Sequence, residues 1–283
     1  MFFGGLIALV AIPLLFWNEG RAVYRARTLA EGRGLVQENI SNERVDDTHE
    51  GALVHMSGTA NSTESLSDET FGITVENAIR LDRIVEMFQW KEEQDSKTEK
   101  KLGGGTTTVT TFNYKKVWSE DSIDSSDFEP SERSNYGDGN PEMPFTSSTN
   151  YAKEVNFGAF QLSDQQVRSI SGSEKVAIDS LNDAVKNAPN LEGIMVDRSG
   201  FFVGLDPEKP AIGDMRIRFE EIGPTDISFV YKQNGNSFAE YKTKDGSISL
   251  FSIWGRNLPT SCLPQRRLPI PQCCGCFACS AWA

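Results

Sequence analysis

Apolar and polar positions follow two successive patterns along the chain. Phe2 to Trp17 is almost wholly apolar and carries no charge. At about 1.5 Å per residue it has the length of a short membrane span. A core helix of a soluble domain keeps a polar face, and this run has none. It closes on Trp17, a residue that favours the membrane interface. From Glu19 to about Ala30 the apolar residues Ala22, Val23, Ala26, Leu29 and Ala30 recur at three- and four-residue spacing, next to Arg21, Arg25 and Arg27. The spacing predicts a helix that continues past Pro13 and stops at Gly32 and Gly34. Residues 1–34 are therefore read as a transmembrane helix with a juxtamembrane extension, touching the bilayer through residues 1–17.

Beyond Leu35 the period changes to two. In Met215-Arg-Ile217-Arg-Phe219-Glu220, apolar and charged residues alternate as in a strand with one buried face. Gly223-Pro224-Thr225-Asp226 and a second strand from Ile227 to Lys232 complete an expected hairpin. Another hairpin is expected from Ile84 to about Glu93, with a polar, glycine-rich turn from Gln94 to Gly105 and a return through Thr106 to Val117, where threonine density favours strand. Ala52–Met56, Gly72–Val75, Gly200–Leu205 and Ser247–Trp254 read as further strands, and Ser163–Ile170 and Val176–Lys186 as helices. The fold class that follows is α+β: an N-terminal transmembrane helix, then a mainly antiparallel, β-rich extramembrane domain over residues 35–256. Residues 119–149, rich in Ser, Asp, Asn, Gly and Pro, read as an exposed insertion.

The net charge of -12 excludes a phosphate-backbone binder, which needs clustered Lys and Arg, so no nucleic-acid partner is expected. All but one of the 40 acidic residues lie beyond residue 27. All five cysteines lie at or beyond Cys262, so no disulfide staples the main domain. Cys273, Cys274, Cys276 and Cys279 lack the two separated Cys-x-x-Cys pairs of a structural zinc site. His49 and His55, with Asp46, Asp47 and Glu50 nearby, do not form a ligand set and read as surface residues bordering a strand. Asp121, Asp124 and Asp127 lack the calcium-loop pattern and read as a solvated acidic face. The Gly103–Gly105 run lacks the Lys of a phosphate loop and reads as a hairpin tip. Neither a catalytic constellation nor a cofactor or metal site emerges, and no enzyme is expected. Most of the aromatics, among them Phe88, Trp90, Phe112, Tyr114, Trp118, Phe201, Phe202, Phe219, Phe229 and Tyr231, are expected in the core, where burial stabilises by roughly 1.5–3 kcal/mol each. Asn39-Ile-Ser41 and Asn61-Ser-Thr63 fit the N-glycosylation pattern and matter only in a eukaryotic lumen.

The segment Pro13-Leu-Leu-Phe-Trp17-Asn18-Glu19-Gly20-Arg21-Ala22-Val23 resembles the end of the first membrane helix in the LUMA family, also called transmembrane protein 43. Glu86-Met-Phe-Gln-Trp90-Lys-Glu92, the stretch from Tyr114 to Trp118, Gly200-Phe-Phe and Gly213-Asp214-Met-Arg216-Ile-Arg-Phe219 are similar to its later landmarks, so the resemblance covers roughly residues 1–256. It marks Trp17, Asn18, Glu19, Gly20 and Arg21 as a membrane-interface signature. The resemblance implies a large domain on the lumenal or extracytoplasmic side, several C-terminal membrane helices and a scaffold-like role. Eukaryotic members sit in the endoplasmic reticulum and inner nuclear membrane with lamins and emerin; a bacterial member would sit in the cytoplasmic membrane. The basic flank after Trp17, taken alone, places the domain in the cytoplasm instead. Where the family returns to the membrane, residues 257–283 read as a Pro/Cys-rich tail from a frame error or truncated reading frame, with a genuine short tail or palmitoylated cysteines as alternatives.

The expected function is that of a membrane-anchored scaffold or envelope-organisation protein that binds other membrane proteins or its own copies. The alternatives are a lumenal or periplasmic small-ligand or glycan binder and, further off, a membrane-tethered hydrolase.

Overall fold

The computed structural model describes residues 2–100, 104–176, 194–197 and 200–253. In chain order the elements are α1 (Phe2–Leu35), β1 (Leu53–Asn61), β2 (Ser65–Asp68), β3 (Ile73–Glu76), β4 (Arg80–Lys100), β5 (Thr106–Ser119), β6 (Ser148–Tyr151), β7 (Asn156–Phe157) and β8 (Phe160–Gln161). Then come α2 (Asp164–Arg168), β9 (Glu174–Lys175), β10 (Met195–Asp197), β11 (Gly200–Val203), β12 (Met215–Ile222), β13 (Thr225–Asn234), β14 (Ser237–Ala239), β15 (Tyr241–Lys242), β16 (Ser247–Ile248) and β17 (Leu250–Ile253). The strands pair antiparallel, as their alternating sequences imply. Of the helix expected at 176–186 only Val176 is described, its N–H donating to Phe219 O at 3.0 Å; the rest of it and the whole tail at 257–283, with the cysteine cluster, lie outside the described residues.

By contact, the chain divides into two units. One holds the residues up to Ser62, Lys153–Gly172 and the chain from Pro224; the other holds Thr63–Ala152 and Ser173–Gly223. In the first, the sheet order is β14-β13-β1-β7-β8, with β17 also on β13. Its core is built on Phe157, Phe160, Phe229 and Phe238, whose rings lie 4.4–4.8 Å apart in successive pairs. In the second, the order is β10-β11-β12-β4-β5, with β6 on β4 and β9 on β12. There Phe71 is fully buried, its ring 5.1 Å from Phe145, 5.5 Å from Phe201 and 5.7 Å from Phe219.

The alternation read in Met215–Glu220 is met in β12, where Met215, Ile217 and Phe219 are buried. The expected hairpin with Ile227–Lys232 does not form. β12 pairs with β4, β11 and β9, whereas β13 pairs with β1, β14 and β17. Pro224 holds its own φ negative, so Gly223-Pro224 cannot form the type I′ hairpin turn, which needs positive φ at both central residues. It carries the chain from one unit into the other.

Gly32 does not stop α1. It lies inside the helix, where a Cβ would come within 2.2 Å of Ile248 Cδ1, so the missing side chain is what lets helix and β16 meet. The helix was expected to cross a membrane; it forms, but among the described residues no helix is long and apolar enough to do so. From Glu19 onward charged residues recur on it. The helix expected at Ser163–Ile170 is α2, shorter at each end, with Ser163 N donating to Gln166 Oε1 at 2.9 Å in capping-box fashion. The strand expected at Ser247–Trp254 is two strands, β16 and β17.

Candidate interaction surface

Two features project chemistry outward. The first is the exposed part of α1. Trp17 is 63% exposed, Asn18 and Glu19 are exposed, and the Arg21 guanidinium lies 5.2 Å from the Trp17 ring centroid. One helical turn separates these two residues, the spacing at which side chains share a helix face. Gly20, between them, has open space around its Cα. Toward its C-terminal end the same helix is held: Thr28 is buried and Thr243 Oγ1 donates to Thr28 Oγ1 at 3.5 Å.

The second is an arm made by β4 and β5. Their register runs from Met87 opposite Ser119 to Lys100 opposite Thr106. The outgoing strand, expected to end near Glu93, continues to Lys100. β12 leaves β4 at Met87, and the next rungs are supplied by other groups. Phe88 N donates to Asp214 O at 2.8 Å, and Gly213 N donates to Phe88 O at 2.9 Å. At Trp90 a side chain imitates a strand: Trp90 N donates to Asn140 Oδ1 at 2.7 Å, and Asn140 Nδ2 donates to Trp90 O at 2.9 Å. Beyond Lys91, among the described residues, β4 pairs with β5 alone.

The segment expected to be an exposed insertion packs against the base of this arm. Gln89 is fully buried; its Nε2 donates to Asp121 O at 3.0 Å and its Oε1 accepts from Ile123 N at 2.8 Å. Asn140 Nδ2 also donates to Ile123 O at 3.0 Å. Glu92 Oε2 accepts from Tyr114 Oη at 2.6 Å and from Glu129 N at 2.7 Å. Burial, then the Glu92 carboxylate, push the Tyr114 phenol above its ordinary pKa. Phe128 and Tyr136 are buried, with ring centroids 5.2 Å apart and 5.9 and 5.1 Å from Tyr114. Much of the rest of 119–149 is exposed. Asn140 was not singled out in the sequence, and Gln89 and Glu92 entered only within the Glu86–Glu92 family landmark, with no role of their own; a glutamine among alternating apolar positions was the available signal.

Beyond the base, the arm is a polar ribbon. Ser96 and Thr110 hydroxyls lie 3.1 Å apart, as do those of Thr98 and Thr108, and Lys115 pairs with Glu93. Val109 is 55% exposed. At about 3.3 Å per residue, the eight residues Glu93–Lys100 extend the arm by roughly 25 Å.

The family profile described as Transmembrane protein 43 matches residues 87–256, a stretch that opens at the rung where β12 leaves the arm. The chain belongs to the transmembrane protein 43 family. Mouse transmembrane protein 43 is 31% identical over 262 residues, which is 88% of this chain and 62% of the relative. The human protein is 30% identical over the same coverage. A Drosophila melanogaster homolog is 27% identical over 252 residues, 86% of this chain and 63% of its own length. The chain thus spans less than two thirds of the length of these relatives. No solved structure matches. Family membership points to a membrane protein.

Within this family member, the other residues noted in the sequence fall apart spatially. Asp46 Oδ1 accepts from Thr48 N at 3.0 Å and caps a short turn, Asp47–His49. His55 does not border a strand but lies within β1, its Nε2 2.9 Å from Ser228 Oγ on the paired β13. Asp124 Oδ1 accepts from Ser126 N at 2.9 Å, which holds its carboxyl below the ordinary range. Among the described residues no group of His, Cys, Asp and Glu is arranged to hold a metal. Of the aromatics expected in the core, Phe201, Phe202, Phe219 and Phe229 are there, whereas Phe88, Trp90, Phe112, Tyr114, Trp118 and Tyr231 are only partly buried.

Proposed function

We propose that this chain is a membrane-anchored scaffold that binds other membrane proteins or its own copies through the β4–β5 arm, by association and not by catalysis. Anchoring is supported by family membership and by the uncharged run Phe2–Trp17, with Trp17 to Arg21 at the interface. In this reading the protein sits in the endoplasmic reticulum and inner nuclear membrane of a eukaryote, or in the cytoplasmic membrane of a bacterium.

One observation carries the binding role: a two-stranded ribbon runs beyond its sheet, its outer backbone edges unpaired among the described residues. Such an edge is a template for another strand. The residues that stiffen the arm's base, Gln89, Asn140 and Glu92, keep it aimed outward as a lever would be. Replacing Gln94–Phe112 with a short turn and recovering the protein from native membranes tests this. The shortened chain should fold, stay in the membrane fraction and lose its co-purifying membrane proteins. Unchanged partners would contradict the proposal.

A further inference from the structure

The two long edges of the arm differ. Along distal β4, Glu93, Asp95, Lys97, Glu99 and Lys100 bring charge to nearly every second position. Charge of that kind guards an edge against added strands. From Thr106 to Tyr114, β5 carries no charge and no proline, and Thr, Val, Phe and Tyr dominate it. These are residues that favour strands. Among the described residues β5 pairs only with β4, and distal β4 only with β5, so both outer edges are unpaired and the β5 edge is the one without charges to guard it.

We propose that the β5 strands of two copies pair antiparallel through these edges, joining two arms into one four-stranded sheet. The inference rests on the scaffold reading and names its partner as a second copy of this chain. Three features support that occupant. An isolated two-stranded ribbon is marginal in water, and three or more strands are needed for stability. An acidic chain of net charge -12 repels its own copies over most of its surface, so approach is easiest along an uncharged edge. Finally, the β5 sequence is self-complementary. Antiparallel pairing centred on Thr110 sets Val109 opposite Thr111, Thr108 opposite Phe112 and Thr106 opposite Tyr114, with no two charges facing each other. Such pairing is isologous, so it closes as a dimer and consumes the unguarded edge of both copies.

The test is a cysteine scan on the full chain in detergent or nanodiscs, with Cys262, Cys273, Cys274, Cys276 and Cys279 replaced by serine. Single cysteines are placed from Thr107 to Phe112 on β5 and at Gln94, Ser96 and Thr98 on β4. Facing Cα atoms in an antiparallel pair lie within disulfide reach. A position two residues from the centre is displaced from its own copy by about 13 Å, out of reach. Disulfide-linked dimer should therefore peak sharply at or beside Thr110 and be absent from the β4 series. In sedimentation, the wild-type chain should dimerise, and Val109→Lys with Thr111→Lys should weaken dimerisation about tenfold while leaving circular dichroism unchanged. A monomeric wild type, equal cross-linking from β4, or a lysine variant that dimerises normally overturns the proposal. A monomer that still recovers membrane proteins through the arm overturns this pairing alone and leaves the scaffold reading standing. Loss of both removes the two together.

Discussion

From Arg80 to Met87, β4 pairs with β12, and with β6 over its first four residues; Leu81, Val85 and Met87 are buried, as is Gln89 just beyond. From Lys91 to Lys100 the same strand has one strand partner among the described residues, and most of its residues are exposed. Backbone conformation is continuous across the boundary. What changes is the number of elements packed against it, which separates a strand that carries the fold from a ribbon free to meet something else.

The sharpest way to break this contrast is to attack the proximal side. Phe71→Ala removes the ring at the centre of the aromatic core and should destabilise by about 3–5 kcal/mol in denaturant unfolding, while leaving the arm's sequence untouched. Gln89→Leu keeps the volume but strands Ile123 N and Asp121 O, for an expected loss of about 2–3 kcal/mol. Asn140→Ala should cost about 1–3 kcal/mol and speed hydrogen exchange at the Trp90 amide more than at Val85.

Smaller effects sharpen the contrast through charge. Hydrogen bonds from Arg216 and Arg218 hold the Glu86 carboxyl below its ordinary pKa, against partial burial. A depressed folded-state pKa contributes stability above the unfolded value of about 4.5, and that stability is lost as pH falls through the folded value. The unfolding midpoint should drop below about pH 5, and Glu86→Gln should flatten that drop. Glu221 has the opposite sign. Burial, then the facing Glu174, raise its pKa, so its contribution worsens as pH rises. Glu221→Gln should stabilise at pH 7 by less than about 1 kcal/mol, with the gain vanishing below about pH 4. On the distal side, Thr98→Ala should change stability by no more than about 0.5 kcal/mol, because its rung is solvent-exposed.

Alternation made β12 legible in the sequence, and threonine density did the same for β5. Partner choice was not legible. β12 and β13 sit side by side in sequence and read as a hairpin, yet each pairs along its edge with a strand from far away in the chain. Gly32 read as a helix stop because sequence cannot tell an ending glycine from one that admits Ile248. The roles of Gln89, Asn140 and Glu92 were invisible for a related reason: polar residues signal exposure until a backbone segment is found to need their hydrogen bonds. The membrane-interface residues Trp17 to Arg21 rest on the resemblance and on their place in α1.

The most direct measurement is lysine cross-linking with mass spectrometry on the full chain in native membranes. If the arm is the interaction element, Lys91, Lys97, Lys100, Lys115 and Lys116 will cross-link to other membrane proteins or to other copies of the chain. Intermolecular links confined to lysines outside the arm, with these five joined only within one chain, would contradict it.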